Sequence, residues 1–108
     1  MPENQIVTLC TVPDRESGER IGHALVEERL AACVNLVPNL TSIYRWQGAV
    51  QQASECLLLI KTTPARFAAL AERLRSLHPY DVPEIIALPI TQGDSTYLNW
   101  ITENTTDE

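Results

Sequence analysis

Leu57-Leu58-Leu59-Ile60 and Ile85-Ile86-Ala87-Leu88 are apolar at successive positions, with no polar residue between. Each run is far shorter than the roughly 20 apolar residues that a membrane helix takes. Read as strands, they send neighbouring side chains to opposite faces of a sheet. A sheet with one wet face would alternate apolar with polar residues. These strands do not, so both faces of their sheet need cover. That requirement constrains the fold more than any other feature of the chain.

The other elements follow from local pattern. Ile6 to Val12 is apolar, bounded by polar residues and Pro13, and reads as a strand. Asp14 to Ser17 open a helix whose apolar positions include Ile21, Ala24, Leu25, Ala31 and Ala32; Gly18 and Gly22 weaken its start. From Val34 to Trp46 the residues favour a strand and run to a hairpin turn at Gly48, with Pro38-Asn39 marking a bend or bulge. The return arm spans Ala49 to Thr62. Thr63-Pro64 is a helix start, with Thr at the cap and Pro at the first position; Phe67, Leu70, Ala71, Leu74 and Leu77 follow at helical spacing. Glu84 to Ile90 is a fourth strand, which Pro89 places at an edge. Gly93-Asp94-Ser95 begin a short last helix with Tyr97, Leu98 and Ile101 facing inward, and Glu103 to Glu108 are expected to fray.

The predicted order, β-α-β-β-α-β plus a C-terminal helix, is the ferredoxin-like split βαβ sandwich of the α+β class, here with a long β-hairpin. Two helices cover one face of its sheet. The simplest cover for the second face is another copy of the chain, favoured by about 25 cal/mol per Å² of apolar surface buried. The arms around Gly48 are long enough to reach a neighbour. An obligate homo-oligomer is the expectation.

The chain has 108 residues, which fits one domain with an ordered core from about residue 5 to 102. A net charge of −6 with scattered arginines excludes the basic footprint of a nucleic-acid binder. Cys10, Cys33 and Cys56 are widely spaced, without C-x-x-C and without a signal peptide, which points to free thiols in a reducing cytosol. No P-loop, G-x-S-x-G, G-x-G-x-x-G or metalloprotease helix motif is present, and the expectation is a protein that is not an enzyme.

Polar groups concentrate in His78-Pro79-Tyr80-Asp81-Val82-Pro83-Glu84, held stiff by its prolines. Much of it is punctuation between a helix and a strand. Glu84, opening the fourth strand, and Lys61, closing the third, would meet at a rim beside Tyr80. There they would form either an inter-subunit ion pair or a pocket for a small anion or metal. Trp46, exposed beside the hairpin turn, reads as a contact with a partner copy. His23 reads as a solvated surface residue.

Several motifs stand in one order along the chain: Glu28-Arg29-Leu30-Ala31-Ala32-Cys33, followed by Pro38; Thr41-Ser42-Ile43-Tyr44-Arg45-Trp46-Gln47-Gly48; Lys61-Thr62-Thr63; His78-Pro79-Tyr80 with Pro83-Glu84; Gly93-Asp94; and Tyr97-Leu98-Asn99-Trp100. From about Val7 to Ile101 the sequence resembles the divalent-cation tolerance (CutA) family. The resemblance implies a homotrimer, a cytoplasmic location, a link to copper and other divalent metals, and structural kinship with PII signalling proteins. It also implies copper ligation by a cysteine ending the first strand and a histidine at the helix–strand junction, which here are Cys10 and His78. A thiolate with an imidazole suits copper. Two ligands make a weak site, and Leu77 stands where some relatives carry a second histidine. Without metal, Cys10 is a small buried strand residue and His78 a helix C-terminal residue. The rival expectation is a PII-like signalling or scaffold trimer that binds a small metabolite or protein partner in an inter-subunit cleft.

Overall fold

The computed structural model describes residues 4–106. Its elements are β1 (Ile6–Val12), α1 (Arg15–Glu27), β2 (Cys33–Trp46), β3 (Ala49–Thr62), α2 (Pro64–Leu77), β4 (Ile86–Pro89) and α3 (Ser95–Glu103). The strands form one antiparallel sheet in the order β2-β3-β1-β4. This is the α+β, split βαβ order expected from the sequence. No helix among the described residues is long and apolar enough to cross a membrane.

β1 and β3 pair through seven consecutive positions, from Ile6 opposite Thr62 to Val12 opposite Cys56. Thr8, Cys10 and Val12, with Cys56, Leu58, Ile60 and Thr62 opposite, form the buried stripe. Ile21 and Leu25 of α1 and Leu70 and Leu74 of α2 close over it, all without exposed surface. Gly18 and Gly22 are where α1 lies closest to the sheet. A Cβ at Gly18 would stand 3.1 Å from both Leu36 Cδ2 and Leu58 Cδ2. At Gly18, packing thus asks for the residue that propensity disfavours, whereas a Cβ at Gly22 would meet Val34 at an ordinary contact distance of 3.4 Å.

The opposite stripe has no such cover. Val7, Leu9, Thr11, Leu57, Leu59 and Lys61 point to the other face by alternation. Ile86 and Leu88 join them and remain 51% and 50% exposed. The two-sided apolar character read from the sequence is present, and within one chain the second face stays open.

β2 carries one extra residue. Val37 pairs with Leu57 but Leu40 with Glu55, so three steps on β2 match two on β3. Asn39 sits in the bulge with φ of 64°, a left-handed conformation that asparagine tolerates. The bulge expected at Pro38-Asn39 is therefore real, and it inverts the alternation. Val34 and Leu36 share the helix-side face, whereas Ser42, Tyr44 and Trp46 share the face of Glu55. The hairpin closes through Gln47 and Gly48, both at positive φ, as a two-residue turn requires.

Local differences from the sequence reading have local causes. α1 ends at Glu27, and Arg29 at φ of 61° reverses the chain, so Ala31 and Ala32 are buried from a connection instead of a helix. Thr63 is the N-cap of α2 by position, but its side chain makes no cap bond; the backbone N–H of Arg66 donates to Thr63 O instead. β4 is only four residues long because Pro83 to Ile85 stay outside the ladder. Tyr97 is 42% exposed, stacked on Trp100 at 5.5 Å with its side chain hydrogen-bonded to Cys33, and only Ile101 of α3 is fully buried. The chain end is tied down through residue 106. The Arg29 guanidinium donates to Glu103 O and Thr106 O at 2.8 and 3.0 Å, and Thr105 is buried. Fraying expected at Asp107 and Glu108 lies outside the described residues.

Two substitutions test this packing. Thr8 Oγ1 is buried without a hydrogen-bond partner, a cost that Thr8→Val removes at equal shape; unfolding in urea should show a gain of about 1 kcal/mol. Gly18→Val drives two methyl groups into the α1–sheet contact and should lose about 1–3 kcal/mol in the same assay.

Candidate functional site

The chemistry-bearing residues gather where β1 stops and the hairpin arms continue. β1 ends at Val12, opposite Cys56, while β2 and β3 run on past it. The turn from α2 to β4 crosses this end of the sheet. Between turn and arm lies a cleft of about 810 Å³, lined by Thr11, Ser42–Trp46, Glu55 and Pro79–Val82 with Glu84. Its position follows from the bulge, which puts Tyr44 and Trp46 on the face of Glu55.

A chain of hydrogen bonds holds the turn in place. His78 ends α2, and its ring Nε2 lies 2.8 Å from Thr11 O. The backbone N–H of Tyr80 donates to His78 Nδ1 at 3.1 Å. Nδ1 is therefore the acceptor and Nε2 carries the proton that goes to Thr11 O. The Tyr80 ring tilts against the imidazole, with centroids 4.8 Å apart. The Tyr80 hydroxyl donates to Glu55 Oε2 at 2.7 Å. Burial, then this bond to Glu55, pushes the Tyr80 phenol well above its ordinary range, so it stays a neutral donor.

Cys10 and His78 do meet, through one carbonyl. Cys10 Sγ lies 3.9 Å from Thr11 O, the oxygen that His78 Nε2 also contacts. Neither side chain offers a free metal-binding electron pair as it stands. Both imidazole nitrogens are engaged. The thiol has no exposed surface, and burial, then the charges of Glu84 and Glu55, pushes it up to about 12. Among the described residues, no three His, Cys, Asp or Glu side chains converge to hold a metal. The arrangement does not fit a resident copper ion.

Trp46, Tyr80 and Glu84 all line the cleft, as one group. Lys61 does not join them. It sits opposite Val7 and Cys33, with its ammonium on Asn35 Oδ1, whereas Glu84 neighbours Thr11. Val7 and Thr11 are four residues apart on β1, or about 13 Å. The rim pair of Lys61 with Glu84 is not formed within one chain. Cys33 and Cys56 are free thiols, and His23 is exposed on α1. Glu55 was missed. The available signal was a lone carboxylate directly before the apolar run Cys56 to Ile60, on an arm whose alternation the bulge reverses.

Comparison with known proteins follows the same outline. Residues 6–104 match the family model described as CutA1 divalent ion tolerance protein. The chain belongs to this family. It is 62% identical over 99 residues to the divalent-cation tolerance protein CutA of Thermus thermophilus, covering 92% of this chain and 96% of that one. A solved Thermus thermophilus Cut A1 structure superposes with a TM-score of 0.92 at 60% identity, over 94% of this chain and 99% of that one. The chloroplastic CutA of Arabidopsis thaliana is 50% identical over 93% of this chain, which spans 55% of that longer protein. Compartment differs within the family by name, from chloroplastic to the periplasmic protein of Archaeoglobus fulgidus.

The buried thiol gives a pH prediction. Its folded-state value of about 12 lies above the ordinary 9.0. Its stabilisation is therefore whole below pH 9 and is lost as pH rises toward 12. Tyr80 titrates in the same direction, so the readout is a difference. Urea unfolding between pH 8.5 and 11 should show a shallower decline for Cys10→Ala than for the parent chain, and equal slopes would refute the assignment.

Proposed function

We propose that this CutA-family chain is a non-enzymatic homotrimer acting in divalent-cation tolerance in a reducing compartment such as the cytoplasm. In this reading, copper or another divalent ion is met weakly at Cys10 and His78 and is not kept as a cofactor. The observation that carries it is the convergence of a thiol and an imidazole on Thr11 O. An ion binding there must take the proton of Cys10 and turn His78 away from Thr11. Both costs oppose binding, and the proton release makes affinity rise with pH. The trimer is supported by the open apolar face of Leu9, Leu59, Ile86 and Leu88, and the free cysteines accord with a reducing compartment.

A second reading is supported by the cleft: a PII-like assembly that binds a small metabolite there and affects metal tolerance indirectly. A cavity of about 810 Å³ with aromatic walls and a buried carboxylate is of the size that holds small ligands.

Calorimetric titration with Cu(II) separates the two. Under the metal reading the parent binds with a Kd tighter than about 1 mM, near 4 kcal/mol, more tightly at pH 8 than at pH 6. Cys10→Ala and His78→Ala each lose at least tenfold. Variants that bind as the parent does would remove the pair from the metal reading. The assembly is checked by light scattering at micromolar concentration, where three times the 12.1 kDa chain mass is expected.

A further inference from the structure

We infer that the cleft between the hairpin arm and the Pro79–Glu84 turn binds a small organic cation, an amine or guanidinium compound, with its charge on Glu55 and its body against Tyr44, Trp46 and Tyr80. The inference rests on the cleft reading above, in which the cleft stays open between neighbouring copies, and names its ligand class.

Glu55 carries it. The residue is only 8% exposed, yet it lines the cleft. Within one chain its partner among the described residues is the neutral Tyr80 hydroxyl, and the ion pairs of Arg15 with Glu19 and Arg73 with Glu28 do not include it. A buried carboxylate without a cation is costly, and an arriving cation relieves that cost. The remaining charges point the same way. Asp81 and Glu84 add to Glu55, against Arg45 alone.

Independently of the carboxylates, the walls are aromatic. The bulge turns Tyr44 and Trp46 to the face of Glu55, and Tyr80 closes the other side. Ring faces attract cations whose hydration is weak, such as guanidinium and alkylammonium groups. Other occupants fit less well. An anion meets the wrong field, a neutral apolar molecule leaves Glu55 unpaired, and a divalent metal finds no three converging ligands.

The test uses the full chain, with agmatine and pentylamine as cationic probes and pentan-1-ol as the neutral counterpart, followed by calorimetry in the presence of a chelator. Saturable binding of both cations near or below millimolar Kd is expected, with the alcohol at least tenfold weaker. This comparison needs no variant to fold. Glu55→Gln keeps an acceptor for Tyr80 and should weaken the cations at least tenfold, and Trp46→Leu several-fold. Equal binding of amine and alcohol, or a Glu55→Gln variant that binds agmatine unchanged, would overturn the inference. Binding of ATP instead of the amines, abolished by Trp46→Leu, would overturn the cation while leaving the cleft reading intact. No binding of any probe, with Trp46 shielded from acrylamide quenching by a neighbouring copy, would overturn both.

Discussion

The pairing of β1 with β3 fixes which side chains belong to which face of the sheet, and the rest of the chain is placed relative to that division. Seven consecutive cross-strand pairs leave no freedom of register, because a slip of one residue would exchange Cys10 and Leu58 for Leu9 and Leu59. One stripe is sealed by α1 and α2. The other is just as apolar in sequence and is only half-buried by its own chain. A domain of this size cannot leave such a face wet without losing much of its burial. The proposed assembly would therefore draw its driving force from the central strands, before any detail of the surface is considered.

The extra residue in β2 has a consequence of a different kind. Without it, the even positions of the arm would continue on the helix side, beyond the end of both helices, and Tyr44 and Trp46 would face away from Glu55. With it, they come round to the face where the Pro79–Glu84 turn crosses. One residue thus converts an overlong hairpin into one wall of a cleft. The twist that a bulge adds also separates the arm from the plane of the core sheet, in keeping with an extended shape of 45 × 25 × 22 Å.

Much of this was legible from residue types, and the exceptions share a cause. Strand and helix positions followed from apolar periodicity and from prolines at Pro13, Pro38, Pro64 and Pro89, because backbone constraints act locally. The need for cover on the second face was legible in Leu57 to Ile60. Placement across the sheet was not. Lys61 and Glu84 were expected to meet because each borders a strand, but which end of β1 each reaches depends on a register set by turns and bulges far along the chain. Tyr97 was assigned inward by helical spacing, while Arg29 and Gln5, which bond to the carbonyls of α3, set the helix rotation instead. Glu55 escaped notice because its burial is made by Tyr80, which lies 25 residues away in sequence.

His78 is half of the Cys10–His78 pair and, without lining the cleft, supports its wall through Tyr80. From Thr11 O the bonds run through the imidazole to the backbone of Tyr80, and through the Tyr80 hydroxyl to Glu55. A metal ion that takes an imidazole nitrogen must break one of the first two links, and the turn that carries Tyr80 then loses its anchor on α2. Under the two proposals taken together, a metal on His78 would loosen the turn that walls the cleft, and by reciprocity a ligand that held this turn would oppose the metal.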